Sequence, residues 1–235
     1  MSTHALEKQL LAVPDLPFLI NRLQDLLNAE MPHRLEFRAW LTPEAKAEFI
    51  NGSVVIHSPA AEDHNAVVLQ LGSLAHFYAT VQQLGKVRVE KALIGLTRND
   101  YEPDVAFWRK EVADQFQPGM NVYPKPDLIV EVLSPDAENI RRDAELKKTD
   151  YAAHFIPEYW IVDPKQQTIE QYLLSQTNPG VYELHKKIGL TDLIESVALH
   201  GFAIPVRAVF DPEAHADVMR RFSSLGENSA SLYVR

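Results

Sequence analysis

The stretch DLIVEVL, residues 127–133, limits the possible folds of this chain more than any other. Leu128, Ile129, Val130, Val132 and Leu133 make a nearly continuous apolar run, the pattern of a strand covered on both faces. Glu131 stands inside that run. An unpaired buried carboxylate is costly and takes up a proton instead. Glu131 therefore calls for a metal ion or a basic partner.

Two further signals gather around it. YEPDVAFW places Asp104 at the mouth of a second short apolar strand, with Pro103 at the strand start, where no ladder donor is lost. If the two strands pair, Asp104 lies beside Glu131, and the two carboxylates can hold a hard cation through oxygen ligands. Asp127 competes for the role, but four residues of strand put its backbone roughly 13 Å from that of Glu131, so it reads as a strand-end residue. RRDAELKKTDYA reads as a helix. With Ile140 as origin and about 100° per residue, Ala144 falls near 40°, Lys147 near −20° and Tyr151 near 20°, which puts Lys147 on the apolar side and Lys148 at its edge. An ammonium there can steady a developing phosphoryl charge. Glu48 is a third candidate metal ligand, with a solvated strand end as its alternative. His64, behind Glu62 and Asp63 at a helix start, reads as a surface histidine, and the other histidines lack metal-ligand spacing.

The remaining chain supplies the frame. The first 45 residues read as helices with proline breaks. Leu19, Ile20, Leu23, Leu26 and Leu27 make one apolar stripe, expected to pack on the main domain, with contact to a second copy as the alternative. AEFINGSVVIHS reads as a hairpin, because Asn51-Gly52 between strand-like runs suits a type I′ turn. HNAVVLQLGSLAHFYATVQQLG is a long amphipathic helix that Gly85 is placed to end. Ser134-Pro135-Asp136 supplies a cap before the basic helix, EYWIVDP and TIEQYLL read as strands, and the sequence beyond residue 200 is weakly patterned. One α/β domain with an N-terminal helical extension is the reading.

Composition removes several classes. Cysteine is absent, which excludes disulfides, thiol nucleophiles and cysteine-ligated zinc. No apolar run approaches the ~20 residues of a membrane span, and the N-terminus lacks a signal-peptide pattern, so a cytoplasmic protein is expected. The net charge of −9 opposes binding to a polyanion as a whole. The segment 141–148, with four basic and two acidic residues, forms a local basic rim.

The run from AEFINGSVVIHSP through DHNAVVLQL, EPDVAFW and PDLIVEVLSP to RRDAELKKTDYAAHFIPEYWIVDP resembles the Uma-two family of restriction endonucleases, in the PD-(D/E)XK nuclease superfamily. The resemblance implies a restriction-endonuclease-like fold, a mixed central sheet flanked by helices, over residues 42–210. Residues 1–41 are then the helical extension and 211–235 a C-terminal tail. It implies magnesium, with manganese as a substitute, and DNA as substrate. By position Pro103-Asp104 matches the first acidic motif, Glu131 the second and Glu48 an early glutamate. Leu133 stands where the superfamily lysine usually lies, and the lysine four residues before Tyr151-Ala152 is Lys147. The catalytic set so implied is Asp104, Glu131 and Lys147, with the metal on Asp104, Glu131, Glu48 and the Val132 carbonyl. Ser53 departs from the family, whose members usually carry a second glutamate there. Two other classes remain open: a binding module that keeps the nuclease fold without activity, and a metal-dependent phosphohydrolase with another substrate.

Overall fold

The computed structural model describes residues 3–42, 45–134 and 142–230. Its centre is a six-stranded mixed sheet. β3 (Gly85–Val89), β6 (Val105–Arg109) and β8 (Leu128–Val132) pair antiparallel, and β8 runs parallel to β9 (Glu158–Asp163). β10 (Thr168–Leu174) and β11 (Tyr182–Ile188) extend the sheet antiparallel beyond β9. All five residues of β8 are buried. Parallel neighbours need a crossover connection. Its described part is a π-helical turn, Arg142–Lys147, followed by α5 (Lys148–Ala153).

Alternation along the strands divides the core in two. Leu128, Val130 and Val132 face a cluster made with α3 (Glu62–Val81), where Val67, Leu71, Leu74 and Tyr78 line one side. Ile129 faces the opposite cluster, with Trp108, Tyr101, Tyr151 and Tyr159. A second sheet covers that side. It orders β2 (Ser53–Ile56), β1 (Ala47–Ile50), β5 (Asp100–Tyr101), β4 (Leu93–Gly95) and β7 (Val122–Tyr123). The hairpin between β1 and β2 turns on Asn51 at φ 51° and Gly52 at φ 82°, the two positive angles of a type I′ turn.

Three expectations need correction. The stripe on α2 (Leu16–Trp40) does not pack on the domain: Ile20, Leu23, Leu26 and Leu27 are 41–56 % exposed. Only the C-terminal half of α2 is held, through buried Arg34 and Phe37, and the helix runs through Pro32. Gly85 does not end α3, which stops at Val81 with Gln83 left-handed at φ 55°. Instead Gly85 opens β3 so close to its neighbour that a Cβ would strike the Trp108 carbonyl oxygen. Finally, the weakly patterned C-terminus holds α6 (Pro212–Ala230), whose Val218 and Phe222 are buried. The Phe222 ring lies 4.8 Å from that of Tyr78. Pro135 and Asp136 of the expected cap lie outside the described residues.

Candidate active site

The register of β6 against β8 sets Val105 opposite Val130, which brings Asp104 to the Glu131 end of β8. The Val132 N–H donates to Asp104 Oδ2 at 2.8 Å and fixes that carboxylate against the strand. Glu131, on the same face as Ile129, points toward α5. Its Oε1 accepts from Lys147 Nζ at 3.1 Å and from the Tyr151 hydroxyl at 3.0 Å. Lys147 also stands 3.0 Å from Glu48 Oε1. Glu48 accepts the Glu102 N–H at 2.9 Å and has His57 Nε2 3.0 Å from its other oxygen. Burial opposes the charge of Glu48, but Lys147 and His57 outweigh it and hold the carboxyl at about 2.

The residues singled out in the sequence thus meet at one place. Asp104, Glu131, Lys147 and Glu48 are each at most 3 % exposed, so Glu48 is no solvated strand end. Lys147 and Tyr151 share a face although residues 142–147 are π-helical, and Ile140, the origin of the helical phase, lies outside the described residues. Lys148 instead lies over the Tyr172 ring at 4.6 Å. Asp127 is a strand-end residue that accepts the Arg109 N–H at 2.8 Å, apart from the group. Ser53 is exposed at the turn end of the hairpin, whereas Lys46 and His57 border the cleft at the other end. The departure at Ser53 therefore leaves the cleft untouched.

His64 is not a surface residue. It is 4 % exposed, and neither ring nitrogen has a hydrogen-bond partner. Its Nε2 stands 3.4 Å from Asp104 Oδ1, an electrostatic contact rather than a formed hydrogen bond. Lys46 Nζ donates to the same oxygen at 2.7 Å and lies 3.5 Å from Glu90 Oε1. Burial raises the pKa of Asp104 and lowers that of Lys46, but in each the facing charges win: Asp104 is pushed well down by His64 and Lys46, and Lys46 is pushed up by Asp104 and Glu90. Glu90 follows β3 with a left-handed backbone at φ 48°, and its N–H donates to the Asp104 carbonyl at 3.0 Å.

These groups border a cleft of about 340 Å³. Four carboxylates, Glu90, Glu102, Asp104 and Glu131, line it with three cations, Lys46, Arg142 and Lys147, and Glu48 lies behind Lys147. Burial pushes the pKa of Glu102 up, against the opposing charge of Lys91. A hard divalent cation fits that donor set, since it takes carboxylate oxygens and offsets the excess charge. Sequence reading passed over Lys46, Glu90 and Glu102, whose spacing carries no signal. For His64 a signal existed: Val67, Val68 and Leu71 follow at helical spacing, so its side chain falls on the buried face.

The family described as "Putative restriction endonuclease", Uma2, matches residues 33–207. The chain belongs to the Uma2 family. Its fold is restriction-endonuclease-like. The chain is similar to a protein described as a putative nuclease belonging to DUF820 from Anabaena variabilis ATCC 29413. The two are 17% identical at a TM-score of 0.61, over 74% of this chain and 95% of that one. The type IIG restriction endonuclease BpuSI aligns at 13% identity and a TM-score of 0.38, over 76% of this chain and 19% of its own. The fold assignment rests on the first of these. No curated protein matches the chain. Uma2 membership and the fold together make this a chain of the nuclease class.

Proposed function

We propose that this Uma2 protein is a divalent-metal-dependent endonuclease that hydrolyses DNA phosphodiester bonds in the cleft beside β6 and β8. The observation that carries the reading is the convergence of Asp104, Glu131 and Lys147, distant in sequence, on one buried cleft with surplus negative charge. Asp104 would hold the cation with Glu131 beside it, and the Val132 N–H and Tyr151 hydroxyl keep the two carboxylates in place. A bound divalent cation would lower the pKa of an attacking water and offset charge on the phosphate. Lys147 lies between Glu48 and Glu131, where a fixed positive charge would stabilise the transition state without reorganising. Arg142 and Lys46 border the cleft and suit the phosphate backbone of a substrate.

The test is plasmid cleavage across magnesium and manganese concentrations, with and without chelator. Nicking that needs metal and is lost in Asp104→Asn is the expected result. DNA retarded equally with and without metal, and never cut, overturns the catalytic reading in favour of a binding module.

A further inference from the structure

We propose that the cation seat of this cleft is the triangle His64, Glu90 and Asp104, that the Lys46 ammonium closes it when no ion is bound, and that it takes Mn²⁺ in preference to Mg²⁺. The inference rests on the metal dependence proposed above and specifies which side chains provide it. Ligand atoms of these three residues lie within 4.8 Å of one another. Among the described residues they are the group of three carboxylate or imidazole donors close enough for one ion. Glu131 and Glu48, the other carboxylates of the site, are already engaged by Lys147.

The independent observation is His64. A buried imidazole with no hydrogen bond at either nitrogen carries a desolvation cost that nothing offsets. A ligand on Nε2 removes it, and that nitrogen already faces Asp104 Oδ1 at 3.4 Å. Lys46 explains how the triangle holds together without an ion. Its Nζ reaches Asp104 at 2.7 Å and Glu90 at 3.5 Å, so a tethered positive charge lies between two of the three donors. Asp104 Oδ2 is committed to the Val132 N–H, which leaves Oδ1 as the oxygen over which an ion and Lys46 compete. Displaced, the ammonium remains on the cleft border, where a phosphate would meet it.

The imidazole also sets the preference among ions. Mg²⁺ is held by oxygen ligands and gives up its waters reluctantly. Nitrogen from histidine suits first-row transition metals, of which Mn²⁺ also accepts carboxylates.

Calorimetric titration of the full-length chain with MnCl₂ and with MgCl₂ tests this without any appeal to activity. Wild type should bind Mn²⁺ more tightly than Mg²⁺. His64→Ala and Glu90→Gln should each weaken Mn²⁺ binding by about tenfold or more, and His64→Ala should narrow the gap between the two ions. Lys46→Met should tighten binding of both by about tenfold, because a competing charge is gone. Glu90 is half-exposed, so Glu90→Gln stands as the variant least affected by folding. If Asp104→Asn abolishes binding while His64→Ala and Glu90→Gln bind like wild type, the ion sits with Glu131, and the triangle is wrong though the metal reading survives. If wild type binds neither ion, the metal reading falls as well.

Discussion

Lys147 has two buried carboxylates within 3.1 Å, and that sets the outcome of changing it. Lys147→Met leaves Glu48 and Glu131 facing each other without the ammonium between them. Breaking a buried pair on one side costs about 3–5 kcal/mol, so the urea midpoint should fall clearly. Single-turnover cleavage at saturating metal should fall by ~10²–10³-fold as a positioned charge is lost. The adjacent Lys148 gives the control. Its contact with the Tyr172 ring is worth about 0.5–1 kcal/mol at a partly exposed site, and Lys148→Met should cut DNA at close to the wild-type rate. A dead Lys148→Met beside an active Lys147→Met would reverse the assignment.

At the scale of elements, one acid of the second sheet takes both Arg34 and Arg38 of α2. Asp100 accepts bonds from Arg34 at 2.6 and 3.0 Å and from Arg38 at 2.7 and 2.9 Å. Burial favours its neutral form, but the bonds from Arg38 and Arg34 and their charges outweigh this and hold its pKa below the ordinary 3.8. A carboxyl depressed in the folded state adds stability above its unfolded pKa, and that stability is lost as pH falls through the folded value. Asp100→Asn should therefore cost about 3–5 kcal/mol near neutrality, because Arg34 is left buried and unpaired. The gap between variant and wild type should close below pH 3.8, as urea unfolding at several pH values would show. A constant gap would mean that the amide loses packing rather than charge.

Across the whole molecule, an acidic body carries a cleft whose own carboxylates exceed its cations. An ion that binds only the folded chain stabilises it by mass action, about 2.7 kcal/mol at a hundredfold excess over the dissociation constant. Manganese should raise the melting temperature of wild type, and Asp104→Asn should abolish most of that rise. The exposed N-terminal half of α2 contributes little to this stability. Leu23→Lys with Leu27→Lys should leave the unfolding free energy of the isolated chain, read by urea titration, within about 0.5 kcal/mol of wild type. A larger loss would mean that the stripe is covered in solution.

Periodicity and the cost of burying charge were enough to place Glu131 in a doubly covered strand, Asp104 at the mouth of another, the Asn51-Gly52 turn and the inward Lys147. Each of those follows from local chain geometry or from one residue set against its immediate neighbours. The resemblance to the Uma-two family carried the fold and the choice of Glu48. What surrounds Asp104 was decided only in three dimensions. His64, Glu90 and Lys46 come from a helix, a turn after β3 and the approach to β1, and no spacing links them; pairing of β3 with β6 and packing of α3 on the sheet bring them together. The same holds for the apolar stripe of α2. Its pattern shows which side would be buried, but whether anything lies there to cover it depends on where the helix leaves the body. Past Arg34 toward its N-terminus, α2 has no buried residue.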